Sequence, residues 1–207
     1  MNRERADAYL FLATLFASRP EPEAVAGMLS AAAGAPDDGG VTGELLAALR
    51  HEEDADALAL RLAAEHTRLF RGVREGYGPP PPYESLWREG QMMGDCTVAV
   101  ATAFLDAGYA YDGAWGPCDH IAEELRFMAA LCTAGDADGV LERQAVFVER
   151  HLAAWLPAYC RTVAEQAREP LYRALASVTA QVVAQDGAHI RDLLGRRPGG
   201  AVGTHGA

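Results

Sequence analysis

Apolar residues recur at spacings of three and four through nearly every segment of this chain, and no run alternates with period two. The three-four spacing is the mark of a helix with one buried face, whereas a half-buried strand needs alternation. The pattern therefore predicts an all-α protein, a single globular bundle of about nine or ten helices whose short loops make neighbours mostly antiparallel. Ala6, Tyr9, Leu10, Ala13 and Phe16, widened by Leu12 and Leu15, predict a first helix over about 3–18. Arg19-Pro20-Glu21-Pro22 breaks it, and Pro22 opens a second helix to about Ala33. Residues 34–40 read as a loop and 42–50 as a short helix. Asp54 is placed to cap the next, along which Leu58, Leu62, Glu65, Leu69 and Phe70 run.

Four consecutive prolines, Pro79 to Pro82, admit neither helix nor central strand. They predict a stiff extended segment and a candidate hinge between subdomains near 72–82. Helix resumes over Tyr83–Glu89 and from Asp95 to about Ala107, with Val98, Ala101 and Leu105 facing inward. A further helix carries Ile121, Leu125, Met128 and Cys132 and ends at Gly135; Asp136 or Asp138 caps its successor. There Leu141, Ala145, Val148, Leu152 and Trp155 form a stripe, and Pro157 ends or kinks the helix. One more segment runs to Arg168. Pro170 starts the last helix, with Leu171, Leu175, Val178 and Val182 inward. The helical domain is thus expected over 1–194, followed by a Gly-rich, disordered tail over 195–207.

Chemistry is bounded mainly by what is missing. The formal net charge is −11, which opposes non-specific binding to nucleic acid or anionic membrane. All 18 basic residues are arginines and no Gly-x-x-x-x-Gly-Lys-Ser/Thr stretch occurs, so lysine-based phosphate or Schiff-base chemistry is excluded. Cys96, Cys118, Cys132 and Cys160 are not spaced as zinc ligands and read as small buried hydrophobes in a reducing compartment. The apolar run Ala8–Ala17 is too short to span a bilayer and resembles no export signal, so a cytoplasmic location is expected.

The most informative stretch runs from Trp115 to Cys132. Pro117 suits a first helical position, which sets Asp119 in the first turn against the helix dipole. Asp119, Glu123 and Arg126 then share a polar face, with His120 and Glu124 on its boundary. A metal site at His120 with Glu123 or Glu124 is one reading, but no His in the chain has a Glu three residues before it. A Cys118–His120 nucleophile is disfavoured, because positions i and i+2 diverge on a helix. Simple dipole complementation is the alternative. Tyr77, Tyr83, Trp87, Tyr109, Tyr111 and Trp115 gather in or near the two irregular loops, where they either line a contact surface or cap the bundle.

Taken together, Phe70-x-Gly72, Pro82-Tyr-Glu-Ser85 near Trp87, and Pro117-Cys-Asp-His120 with Glu124-Leu125 and Phe127-Met128 resemble the TorD/DmsD/NarJ family. Phe147-Val-Glu-Arg-His-Leu-Ala-Ala-Trp155-Leu-Pro157 and Pro170-Leu-Tyr172-Arg-Ala-Leu175 extend the likeness over about 3–185. These are dedicated cytoplasmic chaperones of molybdenum-cofactor oxidoreductases. The resemblance implies an all-helical fold, sometimes a domain-swapped homodimer, and no enzymatic activity. It implies binding to the twin-arginine signal peptide, or a remnant of one, of a catalytic subunit held until its cofactor is inserted. No cofactor is expected in the chaperone itself; a guanine nucleotide is suggested by the resemblance alone.

The resemblance carries binding roles onto Glu84, Ser85, Asp119 and His120. Asp119 and Glu84 are expected to meet client cations, with Tyr83, Trp87 and Trp115 against apolar client residues and Glu123 and Glu124 adding to the acidic rim. Asp119→Asn would then weaken client capture while shifting stability by less than about 1 kcal/mol. Two rivals stay open: a metal- or nucleotide-dependent all-α enzyme, and a structural subunit of an oxidoreductase complex. The client is left open among TMAO, DMSO, nitrate, selenate and related reductases.

Overall fold

In the computed structural model residues 2–34, 40–72, 76–113, 116–134 and 139–196 are described. They form α1 (Asn2–Ala17), α2 (Pro22–Gly34), α3 (Val41–Ala47), α4 (Ala55–Phe70), α5 (Glu84–Glu89), α6 (Asp95–Asp106), α7 (Ile121–Thr133), α8 (Val140–Phe147), α9 (Ala153–Gln166) and α10 (Pro170–Arg196). A π-helical turn, Val148–Leu152, joins α8 to α9 in one continuous rod, so the described residues make nine rods. Their sole extended pairing is an isolated antiparallel bridge between Tyr83 and His120. None of their helices is long and apolar enough to cross a membrane.

The helix α7 is the axis of the bundle. Ile121, Leu125, Met128 and Cys132 are each fully buried, as the three-four stripe predicts, and only Arg126, Ala130 and Thr133 escape full burial. Burial on nearly every side is what a central helix needs, because each flank must pack on a neighbour. Helix α1 lies along α7, and α10 lies along α9. A buried polar clamp locks this frame. Arg5 on α1 meets Asp186 on α10 at 2.5 Å and Gln144 on α8 at 2.7 Å, while Tyr9 donates to Asp186 at 2.8 Å. Burial and the adjacent Asp186 carboxylate push the Tyr9 phenol well above its ordinary range.

Several boundaries follow local chemistry as read above. Asp54 caps α4 by accepting from the Ala57 N–H at 3.0 Å, and prolines open α2 and α10. Elsewhere the structure corrects the reading. The α7 helix begins at Ile121 rather than Pro117, and His120 is its N-cap. Residues 117–119 form a turn, closed by the His120 N–H on the Pro117 carbonyl at 3.1 Å, so Asp119 lies outside the helix. Pro157 does not end its helix; α9 continues past it to Gln166. Just before α9 the π turn widens the backbone, and the Ala153 N–H reaches back five residues to the Val148 carbonyl.

On α6 the expected inward stripe faces solvent: Val98 is 65% and Leu105 79% exposed, while Cys96, Val100 and Phe104 are buried. Both sets satisfy helical spacing, so periodicity alone could not choose between them. The Phe104 ring decides, because it stacks with Phe127 at 4.5 Å. Leu10 on α1 is likewise 45% exposed. Helix α10 extends through Gly195 to Arg196, past the predicted start of the tail. The rest of that tail, most of the 34–40 loop, Gly135, Asp136, Asp138 and Trp115 lie outside the described residues.

The proline segment is pressed against the end of α4. Gly72 has φ +57°, and a Cβ there would fall 2.9 Å from the Pro81 ring; a Cβ on Gly78 would fall 2.0 Å from the Arg68 carbonyl. Only glycine permits both approaches. They fix where the prolines deliver Tyr83 and Glu84.

Candidate functional site

Two helix starts cross at the Tyr83–His120 bridge, and each caps the other. The Glu84 N–H donates to the Asp119 carbonyl at 2.9 Å, and the Ser85 N–H donates to Asp119 Oδ2 at 3.0 Å. In return the Ile121 N–H donates to the Pro82 carbonyl at 2.9 Å, and His120 Nδ1 accepts from the Ala122 N–H at 3.2 Å. Four N–H groups that a helix start leaves without intrahelical partners are thus satisfied. Asp119 complements the start of α5, not of its own helix. Its side chain is fully buried and Oδ1 has no hydrogen-bond partner.

Direct contact between this carboxylate and a client cation is therefore replaced by a structural role. The expected mildness of substitution goes with it: Asp119→Ala, which strands the Ser85 N–H, should cost about 1–3 kcal/mol in urea unfolding. A loss below 0.5 kcal/mol, roughly the scale of a surface change, would refute the capping role. Tyr83 and Trp87 are half-buried beside the corner. The Tyr83 ring packs edge-on against His120 at 5.0 Å, and the Trp87 indole donates to the Pro81 carbonyl at 3.1 Å. Ser85, His120 and Glu123 are buried. Glu123 has Arg126 at 3.6 Å, and burial raises its carboxyl above the ordinary range. Burial, with Asp119 beside it, also pushes the Cys118 thiol up to about 11, which removes the thiolate a nucleophile requires.

Behind the corner lies a buried acid pair. Glu124 is fully buried and its Oε2 accepts from the Trp155 indole N–H at 3.0 Å. Burial, then the neighbouring charge of Glu84, raises its carboxyl well above the usual range. Glu84, also fully buried, has His151 Nδ1 at 2.8 Å on Oε2 and Arg88 on Oε1. Arg88 Nη1 donates in addition to the Arg150 carbonyl at 3.0 Å. Arg88, Arg150, His151 and Trp155 were not among the binding residues expected from sequence; Trp155 reads there as core, and Arg150 and His151 only as part of a run that carries the family likeness. Helical spacing held part of the signal: Glu84 and Arg88 are four apart on one face, as are His151 and Trp155. No local pattern joins the two pairs.

This network opens onto a groove between α6 and the α8–α9 rod. A cavity of about 790 Å³ is lined by Arg88, Cys96, Ala99, Ala103, Val146, His151 and Ala154, with Glu89, Asp95, Glu149 and Arg150 among its charged residues. A second of about 260 Å³ continues from Ala103, Val146 and His151 to Phe127 and Phe147. Apolar side chains and charges of both signs share this lining. No group of three or more His, Cys, Asp and Glu among the described residues is arranged to hold a metal ion.

The model of the nitrate reductase delta subunit family matches residues 32–161. The chain is 26% identical over 203 residues to the chaperone protein TorD of Vibrio cholerae serotype O1 strain O395, covering 90% of this chain and 91% of that one. The TorD of the El Tor strain N16961 is 25% identical with the same coverage. In fold, the chain matches the crystal structure of a putative redox enzyme maturation protein from Archaeoglobus fulgidus, with a TM-score of 0.54 and 22% identity over 87% of this chain and 93% of that one. The chain belongs to the nitrate reductase delta subunit family, which is the NarJ/TorD family. Within it, this is a TorD-type redox enzyme maturation chaperone, not an enzyme.

Proposed function

We propose that this chain is a cytoplasmic chaperone for the catalytic subunit of a molybdenum-cofactor oxidoreductase. It binds the subunit's N-terminal region, a twin-arginine signal or its remnant, assists folding and cofactor insertion, and delays export. The observation that supports this best is the groove beside α6, whose main cavity of about 790 Å³ falls within the usual size of a ligand cleft, about 300–1,000 Å³. A signal segment is basic at one end and apolar along its length. The groove combines apolar lining from Ala99, Ala103, Val146 and Ala154 with the carboxylates of Glu89, Asp95, Asp106 and Glu149. Apolar burial contributes about 25 cal/mol per Å² before ordering costs, and charge in the lining selects the basic end.

Calorimetry with a synthetic twin-arginine signal peptide tests the reading. Saturable one-to-one binding is expected. Ala99→Glu with Val146→Glu, one on each wall, should weaken it about tenfold or more, equivalent to about 1.4 kcal/mol. Thermal stability should change little, because both side chains are exposed. Unchanged affinity in the double variant would remove the groove from the proposal. Absence of binding to any N-terminal peptide, together with stable co-purification with the mature enzyme, would favour a structural subunit instead.

A further inference from the structure

Glu84 poses a question that the capping corner does not answer. It is a fully buried carboxylate whose partners Arg88 and His151 line the groove, and a buried charge must be paired. One partner, His151, belongs to the core rod. The other, Arg88, is of a different kind: its side chain remains 39% exposed and lines the cavity. One nitrogen of its guanidinium, Nη1, is shared between Glu84 Oε1 and the Arg150 carbonyl. Those two acceptors come from separate elements, α5 and the π turn, and converge on Nη1 of Arg88, which lines the groove together with Arg150. Widened helical turns often occur where a helix is shaped for a ligand, and this one presents the carbonyl.

We propose that Glu84 and the Arg150 carbonyl form a guanidinium site that Arg88 fills as an internal stand-in, and that a client arginine takes the site by displacing it. The inference rests on the reading that the client segment carries arginine. The seated guanidinium itself shows what chemistry fits. Exchange swaps one guanidinium for another on the same two acceptors, so Glu84 is never left without a cation. Arg88, on a flexible stem and already partly in water, can swing into the cavity mouth. Glu89, Asp95 and Glu149 there offer it other carboxylates. Because the head groups nearly cancel, net affinity comes from the apolar part of the segment. The site then acts as a register pin that selects arginine over lysine, since a guanidinium is more weakly hydrated and tolerates partial burial better than an ammonium.

Removing the stand-in should open the site. Arg88→Ala is expected to bind a twin-arginine peptide about tenfold more tightly than the unaltered protein, a gain of about 1.4 kcal/mol. It should not gain affinity for the same peptide with both arginines replaced by lysine. Arg88→Ala should also melt at a lower temperature, and ethylguanidinium should restore several degrees of that loss where ethylammonium at equal ionic strength does not. Arg88→Lys retains a cation on Glu84 and provides a variant whose folding is not in question; its arginine-peptide affinity should fall between the other two. Rescue by the two cations alike, or by neither, would overturn the site. If the unaltered protein binds the peptide while the variants show no gain, the exchange is wrong and the chaperone reading stands. If no form binds the peptide but ethylguanidinium still rescues Arg88→Ala, the site stands and the choice of client segment is wrong.

Discussion

Between pH 6.5 and about 4 the folded protein is expected to lose up to about 3 kcal/mol of stability from each of two buried histidines. Burial lowers His66 to about 4, and burial with the nearby Arg71 and His66 lowers His120 to about 4. In the unfolded chain both take up a proton near 6.5. The unfolded state therefore binds more protons throughout this window, and stability falls as pH falls. The contribution is complete above 6.5 and gone by about 4.

The geometry explains the resistance to protonation. His120 Nδ1 accepts from the Ala122 N–H, and a proton there would set two donors against each other. His66 lies edge-on to Phe70 at 4.9 Å, with one nitrogen 3.3 Å from the Phe16 carbonyl, an apolar setting for a cation. Glu123 and Glu124 act in the opposite sense. Their carboxyls are raised in the fold, so their contributions weaken as pH rises beyond the unfolded carboxyl range. The clean measurement is a comparison of slopes. His120→Asn keeps a good N-cap acceptor and cannot titrate. Urea unfolding at pH 7, 5.5 and 4 should show its acid loss smaller than that of the unaltered protein by about 3 kcal/mol. Identical slopes would show that His120 takes up its proton as readily in the fold as in the unfolded chain.

Phe127→Ala is expected to cost about 3–5 kcal/mol, the usual range for removing a buried aromatic ring. Phe127 is 2% exposed, and its ring centre lies 4.5 Å from Phe104, 4.7 Å from Phe147 and 5.2 Å from Tyr109. The ring joins α7 to α6, to the loop after α6 and to α8, so its loss should act unevenly. The α6 helix presents exposed apolar residues on its outer side and rests on the bundle through Phe104. Amide exchange over residues 95–106 should accelerate before that of α7, and peptide affinity should fall with it, since α6 is one wall of the groove. A destabilisation below about 1 kcal/mol, or exchange that rises equally across the chain, would mean that α6 is held by other contacts.

Much of the frame was legible because helical chemistry is local. Prolines open α2 and α10, Asp54 caps α4, and the stripe through Ile121, Leu125, Met128 and Cys132 runs down the axis of the bundle. The Asp-His and Glu-Ser motifs also mark a real junction, since their backbones pair directly. Their roles were harder to read. A carboxylate beside a helix start suggests a cap for that helix, and nothing nearby in sequence says that Asp119 serves a helix 34 residues earlier. The π turn had no visible signal, because Val148–Leu152 continues an ordinary helical stripe.

By itself, the amino-acid sequence determined that this protein is helical, where most helices break, and that its family motifs cluster around the proline segment and α7. Periodicity, capping and proline sterics act over a few residues and are written into the chain. Only the tertiary structure decided that Phe104 rather than Val98 and Leu105 faces inward, that Asp119 is spent inside the protein, and that Glu84 meets His151 and Arg88, which line a groove. Each of those outcomes selects among partners that local spacing leaves equivalent, and a buried charge settles on whichever distant group the packing brings to it.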